Sequence, residues 1–195
     1  MQLNIYTISH PIIELLSNST IYNSRDESNA QFYYKHIGLF LLYEVLRKQI
    51  KIEKIYVKYT YSIKDLCLIS PCTKNCILTN LKDTYSMLGD IKILMPSIEI
   101  INVKYDNYKL DIIDKTKLLK LQEKYNNLKI LILENNLKND TIINLIDNLK
   151  NENKILIKDI KIACITSYYE ILNKLGKIYP KLVIYTTKIV NIYTK

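Results

Sequence analysis

An α/β fold, with a parallel sheet flanked by helices and a β-hairpin arm, is what this sequence predicts, and three observations lead to it. Nearly continuous apolar segments at 129–133, 160–165 and 182–187 read as strands buried on both faces. Between them, 141–150 and 167–175 carry apolar residues at helical spacing, so buried strand and amphipathic helix alternate as in parallel β-α-β units. Upstream, Ile55, Val57, Tyr59, Tyr61 and Ile63 alternate with Tyr56, Lys58, Thr60, Ser62 and Lys64. That period of two predicts a strand with one wet face inside a hairpin.

Taken in chain order, Phe32, Leu39, Phe40, Tyr43 and Leu46 predict a long amphipathic helix over 29–48, with His36 on its apolar face as a core or edge residue. The hairpin strand follows, then a short strand at 76–79, a helix at 81–89 and a strand at 97–103. Lys129-Ile130-Leu131-Ile132-Leu133 forms the next strand, and Ile142, Leu145, Ile146 and Leu149 stripe the helix after it. Tyr168, Ile171, Leu172 and Leu175 stripe the last helix, which Gly176 is placed to stop. No repeat, low-complexity tract or flexible linker divides the chain, so residues 1–195 read as one domain.

Composition narrows the function classes. At 195 residues, 48% hydrophobic and 24% charged, the chain can bury a substantial core. No apolar run approaches the roughly 18 residues of a membrane span, and the first residues lack the basic and apolar regions of a signal peptide. The net charge of +9 permits a polyanion partner, yet lysines alternate with Asp and Glu and no basic-aromatic stripe marks a nucleic-acid path. Abundant Lys, Ile, Asn and Tyr match AT-rich codons, as in organelle or endosymbiont genomes. Cys67, Cys72 and Cys76 are spaced x4 and x3, away from the C-x2-C of zinc sites, and Cys164 stands apart, so reduced thiols and no metal are expected.

The sharpest compositional feature is glycine, at three residues where about fourteen would be average. The shortage bears on 128–149, which has the outline of a nucleotide-site unit: a buried strand, an acid (Glu134), a short loop and a helix. Phosphate-binding loops there use glycines so that backbone N–H groups wrap the anion at the helix start. This chain has Asn135-Asn136-Leu137-Lys138-Asn139-Asp140-Thr141 instead. Asp140 falls where a helix N-cap belongs, and its carboxylate is expected to accept the first-turn N–H bonds, worth on the order of 1 kcal/mol. A phosphate about 4 Å from that carboxylate would meet repulsion of up to about 4 kcal/mol.

The order of elements, with particular residues, resembles the uracil phosphoribosyltransferases over almost the whole chain. His10-Pro11-Ile12-Ile13 is similar to their His-Pro-Leu-Ile start, and Phe32 through Leu41-Leu42-Tyr43-Glu44 to their first long helix with its Leu-x-Tyr-Glu ending. Met87-Leu88, Met95-Pro96-Ser97, Tyr179-Pro180 and Tyr185-Thr186 resemble further family stretches. The resemblance implies a type I phosphoribosyltransferase-like fold and the reaction of uracil with phosphoribosyl pyrophosphate to give UMP and pyrophosphate. It also implies a homodimer, with the strand around 55–63 as part of its interface, and Mg²⁺ only as the companion of a bound pyrophosphate substrate.

Departures fall on the positions that meet substrate. The family's Asp-Pro-Met-Leu-Ala-Thr-Gly-Gly-Ser motif is matched by Glu134 through Thr141, one residue shorter, with the leading acid, the central Leu137 and a loose Thr141 retained. Its Leu-Arg-Ala-Gly-Leu motif reads Leu81-Lys82-Asp83-Thr84-Tyr85, and Lys82 keeps a charge without a bidentate fork. A Tyr-Arg pair becomes Tyr105-Asp106, an aspartate becomes Val190, and the base-binding loop that the family places after it is expected to be absent. Residual substrate contacts, if made, would come from Lys82, Glu134, Asn139, Asp140 and Thr141, with no catalytic residue and no metal ligand assigned. The expected protein is a catalytically impaired homologue, with a non-catalytic scaffold or RNA-interacting regulator as the alternative, encoded in a plastid or an AT-rich bacterium.

Overall fold

The computed structural model describes residues 3–22, 27–70, 74–104, 112–125 and 127–191. Six strands form one parallel sheet: β1 (Asn4–Thr7), β4 (Lys74–Thr79), β5 (Glu99–Asn102), β6 (Leu128–Leu137), β7 (Ile160–Tyr168) and β8 (Val183–Val190). They lie in the order β1-β8-β7-β6-β4-β5, and every neighbouring pair is parallel. Strands β2 (Ile52–Lys58) and β3 (Ile63–Ile69) form a separate antiparallel hairpin.

Strand polarity explains the two layers of helix. Cys76, Leu78, Ile130, Ile132, Ile162 and Cys164 face a core completed by α5 (Ile112–Lys124), α6 (Thr141–Asn151) and α7 (Tyr169–Ile178). Ile77, Leu131, Leu133, Ala163 and Ile165 alternate with them and face α2 (Glu27–Arg47), α3 (Leu81–Leu88) and the short α4 (Ile91–Leu94). The predicted stripe of α6 is buried at Ile142, Leu145, Ile146 and Leu149, each side chain contributing roughly 1.5–3 kcal/mol relative to exposure. Helix α1 (Pro11–Tyr22) precedes α2 and begins with Pro11, whose missing N–H costs nothing at a first helical position.

Several expectations change. The face of α2 that enters the core is Ile37, Leu41, Leu42, Val45 and Leu46, whereas Phe32 and Tyr43 are more than half exposed at 57% and 63%. Residues 37–46 are apolar nearly all round, so periodicity alone picked a second apolar face. The run at 55–63 spans a strand and a turn, with Tyr59 N–H donating to the Ser62 carbonyl at 2.7 Å. Both faces of the hairpin are exposed, not one. Gly176 does not end α7, because its φ is not positive; the helix runs to Ile178 and stops ahead of Pro180. Cys67 is exposed, Cys76 and Cys164 are buried free thiols, and Cys72 lies outside the described residues.

Candidate functional site

The chain leaves β4 for β5 on one side and leaves β6 for β7 on the other, so connections reverse between β4 and β6. Open parallel sheets bind ligands at the carboxyl ends of strands flanking such a switch point. Here β4 ends at Thr79-Asn80, level with Leu133, and β6 runs past it through Glu134 and Asn135 to Leu137. Asn80, extended at φ −80°, caps α3 by accepting from Lys82 N–H at 3.1 Å. This cap was not read from the sequence, although an Asn directly ahead of an amphipathic segment is a recognised start signal.

Side chains lace the crest of the crevice together. The buried Thr79 hydroxyl donates to the Leu133 carbonyl at 2.6 Å. Asn135 Nδ2 donates to the Asp83 carbonyl at 2.6 Å, tying the end of β6 to the first turn of α3. From the other side, Leu81 N–H donates to Asn102 Oδ1 at 3.0 Å. Lys82 and Asp83 are exposed, with Asp83 accepting from Asn80 Nδ2 at 3.0 Å.

The segment expected to be a loop from Asn135 to Thr141 is shorter than that. Strand β6 continues to Leu137, with Asn136 in register with Thr166 and Leu137 with Ser167. Only Lys138, Asn139 and Asp140 separate it from α6. Glu134 is buried in the strand at 5% exposure, opposite Cys164, and is not held out at a strand end. Cys164 is pushed up to about 12, first by burial and also by the nearby Glu134 charge.

The N-cap expectation for Asp140 is overturned. Its backbone is already helical at φ −66° and ψ −12°, and its side chain makes no cap bond. The carboxylate instead accepts from Lys174 Nζ of α7 at 2.6 Å. That pairing sets a cation beside the carboxylate, which no longer meets a phosphate as an unaccompanied charge. First-turn N–H groups of α6 turn to their own backbone: Ile142 to the Asn139 carbonyl at 3.5 Å and Ile143 to that of Asp140 at 2.9 Å. Asn139 is exposed, while the Thr141 hydroxyl is buried without a hydrogen-bond partner among the described residues. The structure thus brings Lys82 and Glu134 to the two sides of the crevice and sets Asn139, Asp140 and Thr141 at the start of α6.

A cavity of about 310 Å³ opens at the carboxyl ends of β6, β7 and β8, lined by Tyr34, Asn135, Asn136, Thr166, Tyr168 and Val190. None of these side chains is a cation. Lys138 stands over the Tyr168 ring, 5.6 Å from its centroid. Tyr105 and Asp106 lie outside the described residues.

The sequence model of the family described as Uracil phosphoribosyltransferase matches residues 7–192, nearly the whole sheet and its helices. The chain belongs to the uracil phosphoribosyltransferase family. It is 30% identical over 189 residues to a protein of Pyropia yezoensis named uracil phosphoribosyltransferase homolog, covering 97% of this chain and 89% of that one. A Porphyra purpurea protein of the same name is 29% identical, with the same coverages. Among solved structures, AQ2163 protein from Aquifex aeolicus superposes with a TM-score of 0.73 at 17% identity, covering 96% of this chain and 88% of that one. At that identity the likeness is one of fold, and it agrees with a phosphoribosyltransferase-like α/β sheet carrying an antiparallel arm.

The segment Glu134–Thr141, which the sequence resemblance aligns with the family's phosphoribosyl-pyrophosphate motif, begins on the crest of β6. A backbone N–H engaged in a strand ladder cannot also wrap a phosphate. The residues that set this geometry are Asn135 and Thr79. Neither stands out in the sequence, because their role depends on which strand ends the topology brings together.

Proposed function

We propose that this chain is a uracil phosphoribosyltransferase homologue that keeps the fold without turning over uracil and phosphoribosyl pyrophosphate. The observation that carries the reading is the continuation of β6 through Asn136 and Leu137, which commits to the sheet half of the segment the family uses to hold the phosphoribosyl group. Three further features support it. Glu134 is buried within the strand; among the described residues no cation lines the cavity at the strand ends; and Asn135 ties the two sides of the crevice. Mg²⁺ accompanies the substrate in this reading and has no separate site.

Titration calorimetry with phosphoribosyl pyrophosphate and Mg²⁺ tests it. The expected result is no saturable heat at about 1 mM ligand, an affinity weaker than about −4 kcal/mol. Saturation at micromolar ligand would overturn the reading.

A role in assembly is the second reading, favoured by a specific surface. An apolar groove of about 540 Å³ is lined by Leu39, Phe40, Tyr43, Ile52, Ile91 and Leu94. It adjoins a hairpin whose Ile52, Ile55, Tyr56, Ile63, Leu66 and Leu68 are 44–66% exposed. A two-stranded hairpin needs a covered face to be stable, and a homodimer that buries the arm would supply one. Nucleic acid is disfavoured, because Lys35, Lys74, Lys115, Lys117, Lys129 and Lys174 already take carboxylate partners. The plastid stroma is the proposed location, supported by red-algal relatives and by codon-like composition.

A further inference from the structure

The two edges of the six-stranded sheet are finished differently. At β5, Val103 N–H donates to the Thr79 carbonyl at 2.9 Å, so alternation along the strand turns the carbonyls of Ile98 and Ile100 outward. Lysines close both: Lys92 Nζ donates to the Ile98 carbonyl at 2.8 Å and Lys117 Nζ to that of Ile100 at 3.4 Å. Charged side chains on an edge guard it against a further strand. At β1, Ile8 N–H donates to the Thr186 carbonyl at 2.9 Å, and the same alternation turns the N–H and C=O groups of Ile5 and Thr7 away from β8. Among the described residues no strand lies beyond β1 and no side chain closes these groups. All four residues of β1 are exposed, Ile5 at 37% and Tyr6 at 46%.

Each face beside this open edge has its own groove. Leu3 and Ile5 point toward α7, where Gly176 lets the chain come close: a Cβ there would stand 3.3 Å from the Leu3 Cβ. A cavity of about 570 Å³ on that face is lined by Leu3, Ile5, Leu172, Gly176, Lys177 and Pro180. Tyr6 points to the α2 face and stacks on Tyr185, with ring centroids 5.1 Å apart. A second cavity, of about 350 Å³, is lined there by Tyr6, His10, Glu44, Arg47 and Lys48. Glu44 is taken by Arg47 at 3.2 Å. Lys48 stands 5.5 Å from the Tyr6 centroid and has no carboxylate partner among the described residues. On the α7 face the charge is Lys177, and no carboxylate lines that groove. Positive charge is therefore in excess on both sides of β1, and apolar surface is concentrated on one.

We propose that the open edge of β1 takes an extended acidic segment of a partner protein as a seventh strand, its apolar side chains on the α7 face and its carboxylates on the α2 face. Backbone bonds to Ile5 and Thr7 supply affinity, and alternate side chains in the two grooves supply specificity. A partner carboxylate on the α2 face is the anion that Lys48 lacks. Four strand residues span roughly 13 Å, so a segment of about six residues covers the edge. A second copy of this chain fits worse. Antiparallel pairing of β1 with itself keeps each face on its own side and brings both copies' Arg47 and Lys48 together, a like-charge contact. The site uses no residue of the crevice between β4 and β6, so it does not depend on the reading given for that crevice.

Anisotropy titration of a labelled six-residue peptide, alternating glutamate and valine, with the full chain tests the assignment. A Kd on the order of 100 μM or tighter is expected, weakening as salt is added. The same peptide with lysine in place of glutamate, and a block peptide of three glutamates then three valines, should each bind at least roughly tenfold more weakly. Peptide should slow hydrogen exchange at the Ile5 and Thr7 amides and leave Ile100 unchanged. Thr7→Pro removes an outward donor while sparing the ladder to β8, and should weaken binding about tenfold. Lys48→Glu leaves the strand unaltered; it should weaken the glutamate peptide and strengthen the lysine peptide, and it decides the matter if thermal unfolding shows that Thr7→Pro does not fold. No saturation by the wild type at about 1 mM peptide, equal binding of the block peptide, unchanged exchange at Ile5 and Thr7, or protection of those amides by self-association without peptide would each overturn the proposal.

Discussion

The α2–α3 contact and the crest of β6 are both places where one backbone closes on another, and they are built by opposite means. At the first, Gly38 lets the helices meet: a Cβ there would stand 2.5 Å from the Met87 carbonyl oxygen and 2.6 Å from its Cα. At the second there is no glycine, and Thr79, Asn102 and Asn135 hold the approaching strands through side-chain hydrogen bonds. A chain with three glycines thus retains one where packing requires it and none where a phosphate would need bare backbone. Composition thins glycine everywhere; it does not choose these positions. The framework is kept as packing, and the crest is kept as a tie.

The largest effect that sharpens this contrast comes from alkali. Cys76 and Cys164, buried in the framework, are both raised from 9.0 to about 12, chiefly by burial. Burial also raises Tyr179, which donates to Asp147. The folded state holds these protons when the unfolded state has lost them, so stability is intact below pH 9 and falls as pH rises toward 12. Urea midpoints should show a loss on the order of 3 kcal/mol by about pH 10.5, roughly halved in Cys164→Ala, where Cys76 still contributes. A pH-independent midpoint would break the picture of dry framework thiols.

Next in size is Gly38→Ala, where backbone must move to admit a methyl group. A loss of about 3 kcal/mol is expected, read as a fall in Tm of roughly 6–12 °C. Asn135→Ala should cost about 1 kcal/mol by removing the tie to Asp83, and should raise hydrogen exchange at the start of α3 while leaving α6 unchanged. The smallest effect belongs to Lys174→Met. Its pair with Asp140 is more than half exposed on both sides, at 53% and 60%, so denaturation should shift by less than about 1 kcal/mol.

Much of the framework was legible because buried strands and striped helices announce themselves: β6, β7, β8, α6 and α7 all overlap the segments periodicity marked, although β6 and β7 run on to Leu137 and Tyr168 and α7 starts only at Tyr169. The four residues of β1 are too few to show a period. In α5, exposed Leu119 interrupts the contrast between its faces, so no stripe marked it. The core face of α2 was misjudged because a helix that is apolar all round has no single period to read. The candidate site was legible only as residue types. That Glu134 is buried and that β6 runs on to Leu137 follow from ladder pairing with β7, a contact set by residues 30 positions away in the chain, and Asp140 turns to Lys174 of α7, 34 positions away. Local signals carry no information about such a partner. A side-chain cap further requires an extended backbone, which an Asp at the right spacing does not guarantee.

Single-turnover assay of the purified chain with uracil, phosphoribosyl pyrophosphate and Mg²⁺ tests the central claim most directly. The account predicts no UMP above the uncatalysed background, and none after Asn139→Gly/Asp140→Gly, because the ladder at Asn136 and Leu137 stays closed. Formation of UMP by the unaltered chain at an enzyme rate of about 1 s⁻¹ or more would contradict it.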